Sequence, residues 1–167
     1  MAMIRVQVRP AAEGDVPAIT RIYNAGIEDR MATLETDLRD EAERSGWLAA
    51  RSERYPALVA VDDAGEVLGW GALNPFNPRP AYRHVADFSI YVAREARGRG
   101  VGSALLTALI ETARGLGYHK LVLAGFPFNE PGVALYRKFG FRDVGIYREQ
   151  GLLDGRWVDV ILMELML

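Results

Sequence analysis

The order of apolar and polar residues predicts strands and helices in mixed succession. Residues 4–9 alternate between apolar and polar side chains, as a half-buried strand does. Apolar residues then recur at helical spacing from Val16 to Ile27, and a second, more polar helix is predicted over residues 37–54. Two apolar runs, at 57–61 and 67–73, are predicted strands joined by a short turn.

Residues 74–83 separate this half from the next, and their three prolines predict an irregular segment. A strand is predicted over 87–92, and a helix begins near Gly100 and ends near Leu116, where glycines follow. We therefore expect one domain over residues 3–166, with a mixed α/β fold. The remaining predicted elements are a strand at 121–124, a helix at 131–139, and strands at 141–149 and 157–166 around a turn at 152–155.

Composition and charge narrow the class of protein. The chain has 167 residues and a formal net charge of −2, which argues against nucleic acid as a bulk partner. It has no cysteine, so a disulfide, a thiol nucleophile and a cysteine-bound metal are excluded. His84 and His119 lie far apart without a carboxylate at metal spacing, so no metal is expected. No apolar run approaches the roughly 20 residues of a membrane helix and no signal peptide is evident, so we expect no membrane partner and a cytoplasmic location.

Residues 97–103, Arg-Gly-Arg-Gly-Val-Gly-Ser, lie between a predicted strand and a predicted helix. A helix N-terminus offers unpaired N–H groups and a positive dipole end, which together bind phosphate. Glycines allow close backbone approach, and arginines suit phosphate oxygens. The alternative is a flexible connection with solvated arginines. The P-loop lysine is absent, the third glycine has the wrong spacing for a dinucleotide fold, and Lys120 stands where a ribose-binding acid would be expected.

Two motifs resemble those of the GNAT acetyltransferases. Residues 97–102 are similar to the superfamily's Gln/Arg-x-x-Gly-x-Gly/Ala loop, and 129–141 resemble its Asn-x-x-small-x-x-Leu-Tyr-x-x-x-Gly-Phe helix. The resemblance implies a central, mostly antiparallel sheet of about seven strands, splayed at the cofactor site and flanked by about four helices. It also implies acetyl-CoA as the cosubstrate and no metal. The residues implied to bind acetyl-CoA are Ile90, Tyr91, Val92, Arg97, Gly98, Arg99, Gly100, Val101, Gly102, Ser103 and Asn129.

Three further segments, at 22–24, 79–92 and 155–160, resemble the phosphinothricin, methionine sulfoximine and arsinothricin N-acetyltransferases. This resemblance implies transfer of an acetyl group to the amino group of a small acceptor, a homodimer and a role in resistance to toxic amino acids. The group's usual base is a glutamate on the strand before the cofactor loop, and Asp87 stands there instead. Tyr136 stands where many superfamily members place a general acid and this group often has histidine.

The acceptor site is predicted from the same resemblance. Residues 79–82 are similar to an Arg-x-x-Tyr pair, and a guanidinium suits a carboxylate or phosphinate. Structural roles remain open for each residue: Asp87 as a strand-end acid, Tyr136 as a core aromatic and Asn129 as a helix cap. Alternative functions are acetylation of a protein N-terminus or a polyamine, or a coenzyme A-binding module without catalysis. The residues implied to bind the acceptor are Arg79, Tyr82, Arg83, Leu34 and Ser89.

Overall fold

The computed structural model describes residues 2–167, and its seven strands form one sheet. Four helices and seven strands in a mostly antiparallel arrangement confirm the predicted fold. The strands are β1 (Gln7–Pro10), β2 (Ala57–Val61), β3 (Val67–Pro75), β4 (Val85–Val92), β5 (Lys120–Gly125), β6 (Arg142–Leu153) and β7 (Arg156–Met166). The helices are α1 (Val16–Asp29), α2 (Glu41–Ala49), α3 (Val101–Gly115) and α4 (Glu130–Lys138), with short 3-10 turns at Glu13–Asp15, Pro80–Tyr82 and Arg94–Ala96.

The sheet opens between its two central strands. The strand order is β1-β2-β3-β4-β5-β7-β6, and β4 and β5 form its one parallel pair. They pair only where Val85–Asp87 lie beside Lys120–Val122, although β4 continues to Val92 and β5 to Gly125. Beyond Asp87 the two strands therefore diverge and leave a gap in the middle of the sheet, as the resemblance implied.

Helices cover both faces of the sheet. On one face, Tyr23 of α1 lies edge-on to Trp70 of β3, with ring centroids 5.7 Å apart. On the other face, α3 packs with its repeat of buried apolar side chains, of which each valine, leucine or isoleucine stabilises the fold by about 1.5–3 kcal/mol. That packing fixes the N-terminus of α3 close to the end of β4. The buried residues of α3 are Val101, Leu105, Leu106, Leu109, Ile110 and Ala113.

Two element boundaries in the first half differ from the prediction. The first strand begins at Gln7 rather than at residue 4, because Ile4 N–H donates to the carbonyl of Arg99 at 3.1 Å and the preceding segment follows the loop before α3. The second helix is shorter than the predicted 37–54, because the Asp40 carboxylate caps it by accepting from the N–H of Glu43 at 2.8 Å.

The proline-rich segment is also more regular than predicted. Strand β3 continues through Pro75, which lies opposite Ala86 of β4 in the antiparallel ladder. A 3-10 turn then forms at Pro80–Tyr82, where proline provides the first helical φ angle. The prediction of irregular structure over 74–83 is therefore wrong at both places.

The C-terminal hairpin is longer and tighter than predicted. Strand β6 continues past residue 149 to Leu153, and the turn narrows to Asp154 and Gly155. A register shift between Tyr147 and Gly151 takes up the extra residues, and Glu149 adopts a φ of 50° within it. An alternating pattern interrupted by such a bulge does not reveal that the strand continues.

Candidate active site

Two adjoining hollows lie at the gap between β4 and β5. The first, named here the small cavity, has a volume of about 260 Å³ and is lined by residues 87–91 of β4, by 123–126 at the end of β5 and by the loop of residues 31–34. The second, the large cleft, has about 730 Å³ and follows residues 96–103 and the start of α4. The residues that line both are Met31, Ala32, Ile90, Tyr91, Asn129 and Tyr136.

The glycine-rich loop turns into α3 at the wall of the large cleft. Gly98 and Gly100 have φ angles of 73° and 90°, which side chains rarely adopt. Gly100 caps α3 without any side-chain hydrogen bond, and the N–H groups of residues 101–103 precede the first helical bond, from Ala104 N–H to Gly100 O. These N–H groups form an anion site of the kind that holds a pyrophosphate.

The two arginines of the loop are already paired with protein groups. Arg97 Nη1 donates to Asp29 Oδ2 at 2.8 Å, and Arg94 Nη2 donates to Asp29 Oδ1 at 2.9 Å. Hydrogen bonds from Arg94 lower the pKa of Asp29, despite its partial burial. Arg99 Nε donates to the carbonyl of Ala2 at 3.1 Å. Asp29 offsets the charge of Arg97, and Arg99 is bonded to a neutral carbonyl, so the backbone N–H groups are the groups left for an anion.

Asp87 stands at the point where β4 leaves β5, and it lines the small cavity. Burial raises the pKa of its carboxyl to about 6, and a backbone hydrogen bond from Phe88 offsets part of that rise. Among residues 2–167, no ion pair includes Asp87. A half-buried carboxylate without a cation is costly to maintain, and it can take up a proton near neutral pH.

Tyr136 of α4 faces both hollows. Its ring packs edge-on against Phe88 and Phe141, with centroids 5.9 Å and 5.8 Å away. Burial raises the pKa of its phenol to about 12, and the negative charge of Asp87 acts in the same direction. Tyr136 is therefore a neutral hydrogen-bond donor at any physiological pH.

Asn129 and Tyr91 join the walls of the two hollows. Asn129 caps α4 by accepting from Gly132 N–H at 3.3 Å, the structural role that the sequence left open, and its Nδ2 donates to Met31 O at 3.3 Å. The Tyr91 ring stacks on Trp70 with centroids 4.9 Å apart, and burial raises the pKa of its phenol. The Asn129 hydrogen bond joins the loop of residues 31–34 to the start of α4, and the stack on Trp70 joins Tyr91 of β4 to β3.

The predicted acceptor residues fall into two groups. Leu34 and Ser89 line the small cavity. Arg79, Tyr82 and Arg83 do not line either hollow of this chain. They lie around the exposed Pro80–Tyr82 turn, where Tyr82 packs edge-on to Phe76 at 5.4 Å.

Part of the cavity wall was not predicted from the sequence. Residues 123–126, Met31 and Ala32 line the small cavity, as do Val160 and Ile161 of β7. The signal for 123–126 was present, because parallel neighbouring strands end at the same edge of a sheet. The signal for the pairing of Asp29 with Arg97 was not, since it joins residues 68 positions apart.

The glycine-rich loop and α4 both lie within the part of the chain that matches a known family. The model of the Acetyltransferase (GNAT) family matches residues 19–141. This chain belongs to the GNAT acetyltransferase family. The L-methionine sulfoximine/L-methionine sulfone acetyltransferase of Pseudomonas paraeruginosa is 38% identical over 159 residues, covering 95% of this chain and 92% of that protein. The prediction of an N-acetyltransferase is thereby confirmed.

Two solved structures resemble the acetyltransferase over almost its whole length. A ribosomal-protein-alanine N-acetyltransferase from Brucella melitensis has a TM-score of 0.93 and 38% identity, covering 96% of this chain and 99% of that chain. A GNAT phosphinothricin acetyltransferase from Sinorhizobium meliloti, solved with acetyl-CoA, has a TM-score of 0.90 and 33% identity, covering 97% of this chain and 88% of that chain. Its bound acetyl-CoA agrees with the cosubstrate predicted from the glycine-rich loop.

Two further findings concern residues 2–167. Within this range, no helix combines the length and the apolar character needed to cross a membrane. Nor does this range hold a group of three or more His, Cys, Asp or Glu side chains suited to a metal ion.

Proposed function

We propose that the enzyme transfers an acetyl group from acetyl-CoA to the α-amino group of a small amino-acid-like acceptor of the phosphinothricin, methionine sulfoximine or arsinothricin type. The observation that carries this proposal is the unpaired carboxylate of Asp87 at the wall of a cavity of about 260 Å³. That volume suits a small molecule, and the cavity adjoins the cleft that fits the cosubstrate.

The large cleft offers acetyl-CoA an anion site and an extended strand. The N–H groups of residues 101–103 would hold its pyrophosphate, and Ile90–Val92 of β4 would meet its pantetheine arm. Bound acetyl-CoA supplies a thioester, whose carbonyl carbon is open to attack by an amine. A backbone N–H of Ile90–Val92 would stabilise the oxyanion that develops.

Asp87 would act as the general base. The α-amino group attacks in its neutral form, because the ammonium form has no free electron pair, and its nitrogen must lose a further proton as the N–C bond forms. With a pKa of about 6, the Asp87 carboxyl is ionised at pH 7 and accepts that proton directly or through a water. The N–C bond forms as the C–S bond breaks, and the amine proton leaves on Asp87.

Tyr136 would assist the leaving sulfur by donating a hydrogen bond. Its phenol has a pKa of about 12, whereas a thiol titrates near 8.5, so full transfer of its proton to the thiolate would cost about 5 kcal/mol. A hydrogen bond stabilises the thiolate without that cost. We therefore propose the predicted general-acid role in this narrower form.

The acceptor class is supported by the names of similar proteins and by the cavity lining. The P. paraeruginosa relative acts on methionine sulfoximine and methionine sulfone, and the S. meliloti relative is a phosphinothricin acetyltransferase. Asp87 is the one acidic side chain among the cavity residues, which disfavours a polyamine. Arg79, Tyr82 and Arg83 stay proposed contacts for an acidic acceptor, although they lie outside this chain's cavity.

A protein N-terminus is the second candidate acceptor. It is favoured by the B. melitensis relative, which is a ribosomal-protein-alanine N-acetyltransferase at 38% identity. A peptide would have to enter past the loop of residues 31–34, where Met31 and Leu34 are exposed.

An acceptor panel separates these candidates. Release of free thiol from acetyl-CoA is measured with phosphinothricin, methionine sulfoximine, arsinothricin, plain amino acids, spermidine and a peptide with an N-terminal alanine. We expect kcat/KM to be highest for one of the first three. Turnover of the peptide alone would overturn the proposal in favour of the second candidate. No turnover of any amine would favour a binding module.

We also propose that the enzyme is a cytoplasmic homodimer that confers resistance to such acceptors. The support for the dimer is a set of apolar side chains on the terminal hairpin that are exposed by half or more. Sedimentation velocity of the wild type and of Trp157→Glu tests the dimer, and a monomeric wild type would contradict it. The exposed side chains are Val144, Ile146, Tyr147, Leu152 and Trp157.

A further inference from the structure

A guanidinium lies behind the small cavity without touching it. Arg51 donates from Nε to Tyr55 O at 2.7 Å and from Nη2 to Leu73 O and to Asn74 Oδ1, the last at 3.1 Å. Its guanidinium carbon also lies 4.5 Å from the centre of the Trp47 ring. These contacts hold Arg51 in one orientation, and neither Arg51 nor Asn74 lines the cavity.

Asn74 links Arg51 to the cavity wall and fixes the direction of the hydrogen bond that reaches it. Arginine has only donors, so the amide atom that faces Arg51 has to be the oxygen. The amide nitrogen of Asn74 then faces Ser89 Oγ at 3.1 Å. An amide nitrogen donates and does not accept, so Ser89 Oγ is the acceptor in this contact and its own hydrogen stays free for another partner.

We propose that Arg51 and Asn74 are positioning residues that make Ser89 a hydrogen-bond donor toward the α-carboxylate of the acceptor. This inference rests on the proposed function, because it assigns part of the acceptor to that site. Arg51 donates to Asn74 and Asn74 donates to Ser89, so both hydrogen bonds run in one direction, toward the cavity. These hydrogen bonds end at Ser89, which lines the cavity. Among residues 2–167, no acceptor takes the Ser89 hydroxyl hydrogen.

The position of Ser89 along β4 indicates which acceptor group it meets. Asp87 and Ser89 lie two residues apart, so their side chains share one face of the strand at a separation of about 7 Å. When the amine of the acceptor lies against Asp87, the carboxylate bonded to the same α-carbon lies further along the strand, toward Ser89. Among residues 2–167, those that line the cavity include no arginine or lysine, so Ser89 has no cationic competitor there for that carboxylate.

Asn74→Asp is the diagnostic variant, because it keeps the shape of the side chain and the contact with Arg51. Both oxygens of the introduced carboxylate accept, so the Ser89 hydroxyl turns toward that carboxylate and away from the acceptor. We expect KM for methionine sulfone to rise about 10- to 100-fold in Asn74→Asp and in Ser89→Ala, with KM for acetyl-CoA unchanged. Ser89→Thr keeps a hydroxyl and should restore the wild-type KM.

A double variant distinguishes an effect of the direction of the Ser89 hydrogen bond from an effect of the added negative charge. If the introduced carboxylate acts only by adding negative charge, its effect persists in the double variant Asn74→Asp with Ser89→Ala, and the proposal is overturned. If it acts through Ser89, it adds little in that background. A second measure is the preference for methionine sulfone over its neutral α-carboxamide, which should fall in both single variants. The control is Ser45→Ala, in which this preference should stay unchanged because the Ser45 hydroxyl bonds to Glu13 outside both hollows.

Failure of this inference differs from failure of the proposed function. A wild type that acetylates none of the amino-acid acceptors removes the function itself. A wild type that acetylates methionine sulfone, with Ser89→Ala and Asn74→Asp equal to it in KM and in preference for the carboxylate, removes only the positioning role.

Discussion

Asp87 and Tyr136 face one cavity from a strand and a helix, and the charge of the first raises the pKa of the second. Burial acts on both groups in the same sense, because it disfavours the ionised form of each. The carboxyl pKa moves up to about 6 and the phenol pKa to about 12. The site therefore holds an ionised carboxylate and a neutral phenol together at neutral pH, which are the forms that the proposed base and the proposed hydrogen-bond donor need.

Removal of the Tyr136 hydroxyl should slow the reaction without disturbing the fold. In Tyr136→Phe the ring keeps its packing against Phe88 and Phe141, while the hydrogen bond to the leaving sulfur is lost. We expect kcat to fall about 10- to 100-fold at saturating substrates. The control is Tyr118→Phe, which removes the buried phenol that bonds to Arg54 O at 2.8 Å, far from both hollows. Equal kcat in Tyr136→Phe and wild type would exclude the proposed role.

The glycine-rich loop can be tested against a matched glycine at the other end of α3. Gly98 and Gly117 have φ angles of 73° and 81°, and a Cβ on either would meet no protein atom within 4 Å. Alanine at each should cost about 1–2 kcal/mol of unfolding free energy through the backbone alone. We expect Gly98→Ala to weaken acetyl-CoA binding at least about tenfold in calorimetry, and Gly117→Ala to leave it unchanged. Equal binding by both variants would place the pyrophosphate elsewhere.

Gly151 controls the position of a cavity residue. A Cβ there would overlap the side chain of Leu34, which lines the small cavity. We expect Gly151→Ala to press Leu34 into the cavity and to lower kcat/KM for the acceptor about tenfold, with KM for acetyl-CoA unchanged. Adding Leu34→Ala should recover most of the loss. An unaltered kcat/KM in the single variant would show that Leu34 moves outward.

The raised pKa of Asp87 has a consequence for stability. The folded-state value of about 6 exceeds the ordinary 3.8, so the folded protein binds this proton more tightly than the unfolded chain does. The resulting stability is complete below about pH 4 and is lost as pH rises through 6, with a total of about 3 kcal/mol. The free energy of unfolding is measured in urea at pH 5 and at pH 8. From pH 5 to pH 8 the value for wild type should fall relative to that for Asp87→Asn. A constant difference would contradict the raised pKa.

The element order and the glycine-rich loop were predictable from the sequence because both depend on local pattern. The repeat of α3 and the cap formed by Asn129 are examples, since each is set by residues a few positions apart. The start of β1 was not predictable in this way. Ile4 belongs to an alternating run, yet its N–H is taken by Arg99, which is far away along the chain.

The lining of the small cavity was predicted less well for the same reason. Ser89 and Leu34 were identified and line the small cavity, whereas Arg79 and Arg83 were assigned to the same site and lie outside it. A guanidinium in a sequence indicates what it can bind, and only the fold indicates where it points. Arg51, which no sequence pattern singles out, reaches the cavity wall through Asn74 because β3 and β4 are neighbours.

The pH dependence of kcat, for wild type and Asp87→Asn with methionine sulfoximine and saturating acetyl-CoA, tests the central claim most directly. We expect the wild-type kcat to rise with an apparent pKa near 6 and then to level. Asp87→Asn should have a kcat at least about 100-fold lower, without that rise. A variant that keeps both the wild-type kcat and the rise near pH 6 would show that Asp87 is not the base.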